Sequence, residues 1–136
     1  MTSPIAGITF LTYDDLKAGE RFYGDLLGLP LVEDQGWAKV YRIAAGAHVG
    51  IVQARRATQK GTAGAGALVS LVVGTVEDVD SWHERLRGEP SIRIDTPPGM
   101  VGELPVYSLF LTDPAGYRVE IQAFTEPAIR QRIATP

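Results

Sequence analysis

The stretch from Gly7 to Tyr13 is apolar and β-branched (Ile8, Thr9, Phe10, Leu11, Thr12, Tyr13) and stops at Asp14-Asp15, which predicts a strand followed by a capped helix. From Asp15 to Leu27 the positions Leu16, Gly19, Phe22, Tyr23, Leu26 and Leu27 recur at intervals of three and four. That is one face of an amphipathic helix, with Gly28 placed to end it. Three short strands are expected next, Pro30 to Asp34, Trp37 to Ile43 and His48 to Gln53, separated by the turn-like Gln35-Gly36 and Ala44 to Gly46.

The segment Arg55 to Gly66 is polar and glycine-rich without an apolar period, and reads as a flexible connection. The order of elements then repeats. A strand is predicted over Ala67 to Val76, and a helix over Val76 to Leu86, where Val79, Trp82 and Leu86 keep helical spacing before Gly88. Ser91 to Ile94, Val106 to Thr112 and Arg118 to Phe124 are the remaining strands, with Pro97-Pro98-Gly99 and Asp113-Pro114-Ala115-Gly116 as turns. The predicted class is α+β: two β-α-β-β-β modules at about 5–53 and 67–124, joined by a linker at 54–66 within one domain over 1–136, enclosing a cavity. From Thr125 onward Ile129 and Ile133 lie among Pro127, Arg130, Arg132 and Pro136, which suggests a frayed tail, with docking on a partner subunit as the alternative.

Composition narrows the function classes. The chain of 136 residues is long enough for one stable core. A formal charge of -3 and scattered arginines argue against nucleic acid as a partner. The absence of cysteine removes disulfides, a thiolate nucleophile and Cys-ligated metal. No run of about eighteen apolar residues marks a membrane span. Met1-Thr2-Ser3-Pro4 carries no secretory pattern, so a cytoplasmic location is expected.

Asp15-Leu16, Phe22-Tyr23 and Leu26-Leu27-Gly28-Leu29 together resemble the opening signature of a vicinal oxygen chelate module. Val76-Glu77-Asp78-Val79-Asp80 resembles the matching start of a second module, and Asp113-Pro114-Ala115-Gly116-Tyr117-Arg118-Val119-Glu120 its closing motif. The resemblance, over roughly residues 5 to 124, is to the family of glyoxalase I, extradiol dioxygenases, fosfomycin-resistance enzymes, methylmalonyl-CoA epimerase and bleomycin-binding proteins. It implies sheets curved around one cavity. It also implies a divalent metal held by His, Gln or Glu on the first and fourth strands of each module. Those positions fall here on Ile8, near Gly50, on Ser70 or Leu71, and on Glu120, of which only Glu120 is a usual ligand type. One carboxylate does not hold zinc or iron, which need three or four converging donors. His48 should share a strand face with Gly50 but lies two residues, about 6.6 Å, along the strand. His83 on the second helix reads as a surface or interface residue. No tightly bound metal and no cofactor are expected.

Glu120 is the candidate catalytic residue: facing a cavity among Ile8, Phe10 and Val52, it would serve as a general base beside a carbonyl. The alternatives are an ion pair with Arg118 or Arg42, or a plain hydrogen bond to ligand. Trp37, Lys39 and Tyr41 alternate along one strand and should share a face, with Ala38, Val40 and Arg42 on the other. Two aromatics bracketing a cation suit a flat anionic or phenolic ligand, or else they pack on a helix. Tyr107 is a further ligand candidate or ordinary strand filling. Trp82, Phe22 and Tyr23 read as core. The run Gly61 to Gly66 lacks the Lys-Ser or Lys-Thr of a phosphate loop. Pro97 to Glu103 is read as a lid or a plain connection.

The leading expectation is a small-molecule-binding protein of glyoxalase/bleomycin-resistance type. It would be a homodimer, taking an aromatic or carbonyl-bearing metabolite or antibiotic through Ile8, Phe10, Trp37, Lys39, Tyr41, His48, Val52 and Tyr107. The alternative is a lyase, isomerase or dioxygenase using Glu120 as base or metal ligand.

Overall fold

The computed structural model describes residues 6–57 and 67–134, and the chain divides into two compact units, 1–65 and 66–136. The first unit contains β1 (Gly7–Tyr13), α1 (Leu16–Glu20) running on into a π-helical segment (Arg21–Leu26), β2 (Leu31–Asp34), β3 (Ala38–Ala44), β4 (Ala47–Gln53) and a 3-10 turn (Ala54–Arg56). Its sheet has the order β1-β4-β3-β2. β1 runs parallel to β4, and the other neighbours pair antiparallel. Alternation sorts the side chains of β4. Val49 and Ile51 are fully buried, and Ile51 approaches α1 so closely that a Cβ at Gly19 would lie 3.0 Å from its Cδ1. His48, Gly50 and Val52 therefore point to the opposite face.

Two expectations change here. The helix predicted as uniform becomes π-helical from Arg21, and the Leu27 N–H donates to the Phe22 carbonyl, five residues back, at 2.9 Å. The wider turn carries the adjacent aromatics Phe22 and Tyr23 into the core, at 1% and 0% exposure, and sets Gly24 against the Tyr41 ring. Trp37 leaves the strand, because its N–H donates to the Gln35 carbonyl at 3.0 Å within the β2–β3 turn. Of the connection expected to be flexible, Arg55 and Arg56 belong to the 3-10 turn, while 58–66 lies outside the described residues.

The second unit contains β5 (Leu68–Val72), α2 (Val76–Leu86), β6 (Arg93–Met100), β7 (Val106–Thr112), β8 (Arg118–Phe124) and α3 (Pro127–Ala134). The sheet order is β5-β8-β7-β6, again with one parallel pair, β5 with β8. β5 is shorter than expected because Thr75 starts α2 with a reciprocal cap: its hydroxyl accepts from the Asp78 N–H, and the Asp78 carboxylate accepts from the Thr75 N–H, both at 3.1 Å. Val79 and Leu86 fill the core from this helix. Trp82, expected inside, is half-buried, with the Arg85 guanidinium 4.9 Å from its ring centroid.

Pro97-Pro98-Gly99, read from sequence as a turn, lies inside β6. The edge position makes this tolerable, since no further strand requires the missing N–H groups, and the pairing with β7 shifts register between Thr96 and Gly99. The lid reading loses its first half to this strand. The closing Asp113-Pro114-Ala115-Gly116-Tyr117 is a structural turn. Buried Asp113 accepts from the N–H groups of Ala115 (2.9 Å) and Tyr117 (2.8 Å), with Gly116 at φ 96°. The expected frayed tail is instead α3. It opens on a proline, which suits the first helical position, and Arg130 Nη1 donates to the carbonyls of Gly74 (3.2 Å) and Phe124 (3.3 Å).

Candidate functional site

The face of the first sheet away from α1 carries a cavity of about 210 Å³. Its floor follows from the strand register. Gly50 pairs with both Phe10 of β1 and Val40 of β3, and Ala38 pairs with Val52. A Cβ at Gly50 would overlap the Cδ1 and Cε1 atoms of Phe10, so only glycine lets the ring lie across β4. Phe10, Trp37, Ala38, Val40, Val52 and Ala57 form the apolar lining, with Glu33, Gln35 and Arg56 as the polar members. The 3-10 turn is anchored by Ala57, whose N–H donates to the Ala54 carbonyl at 3.2 Å and whose side chain is buried with Ala38 and Val52. That anchoring places the Arg56 guanidinium 5.0 Å from the Trp37 ring centroid.

Of the residues expected to bind ligand, Phe10, Trp37 and Val52 come together in this cavity. Ile8 lies on the same face beside Gly50, outside the cavity lining. His48 follows on that face, its Nδ1 3.1 Å from the Gly7 carbonyl oxygen. Lys39 and Tyr41 point the other way, toward the helix. Lys39 Nζ is 2.6 Å from Glu20 and 3.1 Å from Asp34. The Glu20 bond first and the Asp34 bond second hold its ammonium above the ordinary lysine pKa. Asp34 is held below the carboxylate range by the Gly36 N–H and then by Lys39. Tyr41 stacks near Tyr23, ring centroids 6.3 Å apart, and burial pushes its phenol up. The aromatic pair bracketing Lys39 is thus replaced by Trp37 and Phe10 with Arg56. Tyr107 belongs to the second unit and donates to Asp80 of α2 at 2.6 Å, a bond that raises its pKa.

Glu120 is buried at 7% exposure on β8, cross-strand from Ser70 of β5 and Phe110 of β7. Ser70 Oγ donates to Glu120 Oε1 at 3.0 Å and Gln122 Nε2 donates to the same oxygen at 3.1 Å. Gln122 also donates to Ser70 Oγ, closing a three-residue network. Of the two arginines considered as ion-pair partners of Glu120, Arg118 lies instead over the Phe110 ring and 3.9 Å from Asp95, and among the described residues neither it nor Arg42 pairs with Glu120.

Ser70 and Glu120 correspond by position to Phe10 and Gly50: Ser70 and Phe10 each lie six residues before a helix, and each is register partner to the other member of its pair. By this register Ser70 is the β5 residue beside Glu120 and Phe10 the β1 residue beside Gly50, with Ile8 on the same face two residues before Phe10. A resident metal would draw on these four places, and the residues do not fit one. Two are apolar, with a ring lying over the glycine, and among the described residues no three His, Asp or Glu side chains gather into a binding group.

Alternation along β3 places Ala38 and Val40 on the face of Val52, so those lining residues were readable in principle. Arg56 was hidden in a stretch without period and Gln122 carried no motif, while Ser70 was named only as one of two alternatives for its position.

The sequence profile of the Glyoxalase/Bleomycin resistance protein/Dioxygenase superfamily matches residues 5–121. Solved structures share the fold. A glyoxalase/bleomycin resistance protein/dioxygenase from Nocardioides superposes with a TM-score of 0.71 at 20% identity, covering 93% of this chain and 87% of the other. A glyoxalase-related enzyme from Fulvimarina pelagi gives 0.74 at 19% identity over 87% and 86%. A lactoylglutathione lyase from Agrobacterium tumefaciens gives 0.70 at 23% identity over 90% and 95%. Curated proteins provide no match. A profile match over most of the chain, with the paired β-α-β-β-β units it calls for, makes this protein a member of the glyoxalase/bleomycin resistance protein/dioxygenase superfamily.

Proposed function

We propose that the chain is a small-molecule-binding protein of glyoxalase/bleomycin-resistance type, taking a flat aromatic or carbonyl-bearing metabolite or antibiotic in the first unit's cavity without a tightly bound metal. The apolar cavity between Phe10 and Trp37 is the observation that carries this reading. Its volume of about 210 Å³ is below the roughly 300–1,000 Å³ of drug-sized sites, which suits one or two fused rings or the end of a larger ligand. Trp37 is 39% and Phe10 44% exposed, leaving aromatic faces for a ligand ring. Calorimetric titration with a panel of bicyclic aromatic compounds is the test. Trp37→Ala should weaken any binder about tenfold, in line with the 0.5–1.5 kcal/mol of an aromatic pair plus lost burial. Unchanged affinity in this variant would place the ligand elsewhere.

A second reading rests on Glu120, which receives both its hydrogen bonds on Oε1. With Oε2 left for a substrate, Glu120 acts as the general base of a lyase or isomerase, removing a proton beside a carbonyl. Glu120→Gln would then abolish turnover while ligand binding persists, whereas a pure binder shows no turnover to lose. The proposal also includes a homodimer, supported by the exposed apolar side chains of the edge strands, Ile8 on β1 and Leu68 and Val72 on β5, and action in the cytoplasm. Among the described residues no helix is long and apolar enough to cross a membrane.

A further inference from the structure

The cavity of the first unit has one cation at its mouth, and the surroundings of that cation say what it is for. Arg56 is exposed, and the ring of Trp37 is its aromatic partner. Among the described residues the lysine and arginine ion pairs involve Lys39, Arg87, Arg93 and Arg118, and Arg56 is in none of them. Glu33, the acidic member of the lining, uses Oε1 to accept the Asp34 N–H at 3.0 Å. The sequence from Ala54 to Gly66 contains Arg55, Arg56 and Lys60 and no acidic residue.

A guanidinium stacked on an indole keeps its in-plane N–H donors free, and those donors form a fork that matches a carboxylate with two parallel hydrogen bonds. Contact with the indole, 5.0 Å from guanidinium to ring centroid, also restrains the side chain, so less freedom is lost when an oxyanion arrives. The buried Ala57 next in sequence holds the turn that carries the guanidinium.

Resting on the reading of the cavity as an aromatic ligand site, we infer that its ligand carries a carboxylate on the ring system, and that Arg56 is the residue selecting for it. The rings lie between Phe10 and Trp37 while the carboxylate meets the Arg56 fork. Lys39, the cation the strand pattern suggested for this role, is committed to Glu20 and Asp34 on the other face.

The test compares 2-naphthoate with its neutral counterpart 2-naphthylmethanol, following the Trp37 indole resonance by NMR. Trp82, the second of the two tryptophans, serves as internal reference. The wild-type chain should bind the acid about tenfold more tightly, and the preference should narrow as salt is raised, since the contact is exposed. Arg56→Gln should abolish the preference, the acid losing about tenfold more affinity than the alcohol, and Arg56→Lys should recover only part of it, because an ammonium lacks the fork. Equal affinity for the two probes in the wild type, or a preference that survives Arg56→Gln, overturns the selection by Arg56 and leaves the aromatic cavity standing. Absence of any Trp37 response to either probe overturns the cavity reading and this inference with it.

Discussion

Phe10 and Gly50 hold, in the first unit, the places that Ser70 and Glu120 hold in the second. One frame thus carries an aromatic ring over a bare backbone in one copy and a hydrogen-bonded carboxylate in the other. The consequence for Gly50→Ala is definite. Its new methyl would occupy the space of the Phe10 ring, but that ring is 44% exposed and can turn outward. Stability should fall by about 1 kcal/mol, the lower end of the cost of overpacking, while affinity for an aromatic probe falls sharply because a cavity wall has moved. Thermal melts with probe titration check this, and an unchanged affinity would mean that the Phe10 position is unimportant to the site. Phe10 and Val52 were legible because alternation along a strand needs only local periodicity. Arg56 was not, since its place depends on a 3-10 turn whose anchor, Ala57, gives no signal until Ala38 and Val52 are packed against it.

The helix of the first unit shows packing overriding propensity. Gly19 in α1 costs about 1 kcal/mol relative to alanine in an open helix, yet a Cβ there would meet Ile51 Cδ1 at 3.0 Å and the Tyr13 ring at 3.2 Å. Both neighbours are almost wholly buried, so neither can give way as Phe10 can. Gly19→Ala should therefore destabilise the fold by a net of about 1 kcal/mol, the 1–3 kcal/mol of overpacking exceeding the propensity gain. Urea denaturation decides the sign, and a stabilised variant would show the helix free to shift. Elements with a strong period, β1, α2, β7 and β8, lay where the sequence placed them to within two residues, apart from the shortened β5. The misread ones share a cause. The π-helical turn, the proline-bearing β6 and the terminal α3 each depend on a tertiary neighbour, respectively the Tyr41 ring, an edge position, and the carbonyls that bind Arg130.

At the scale of the molecule, the duplication was visible in the sequence because each copy repeats the same order of strand and helix. The edge strand β1 of the first unit carries Ile8 at 47% exposure, and the edge strand β5 of the second carries Leu68 at 50% and Val72 at 40%, the exposed apolar side chains that support the proposed homodimer. Light scattering over a dilution series should show a dimer that Leu68→Lys shifts toward monomer. A wild-type chain that stays monomeric up to its highest soluble concentration would remove the dimer from the proposal. The opposite rim of the second sheet behaves differently. Pro97 and Pro98 in β6 strip two donors from the outer strand, and an incoming strand finds no continuous ladder there. Were the proposed homodimer to form by strand addition at β5, the blunted β6 flank of the same sheet would give a further strand no continuous ladder, which favours a finite complex over a growing fibril.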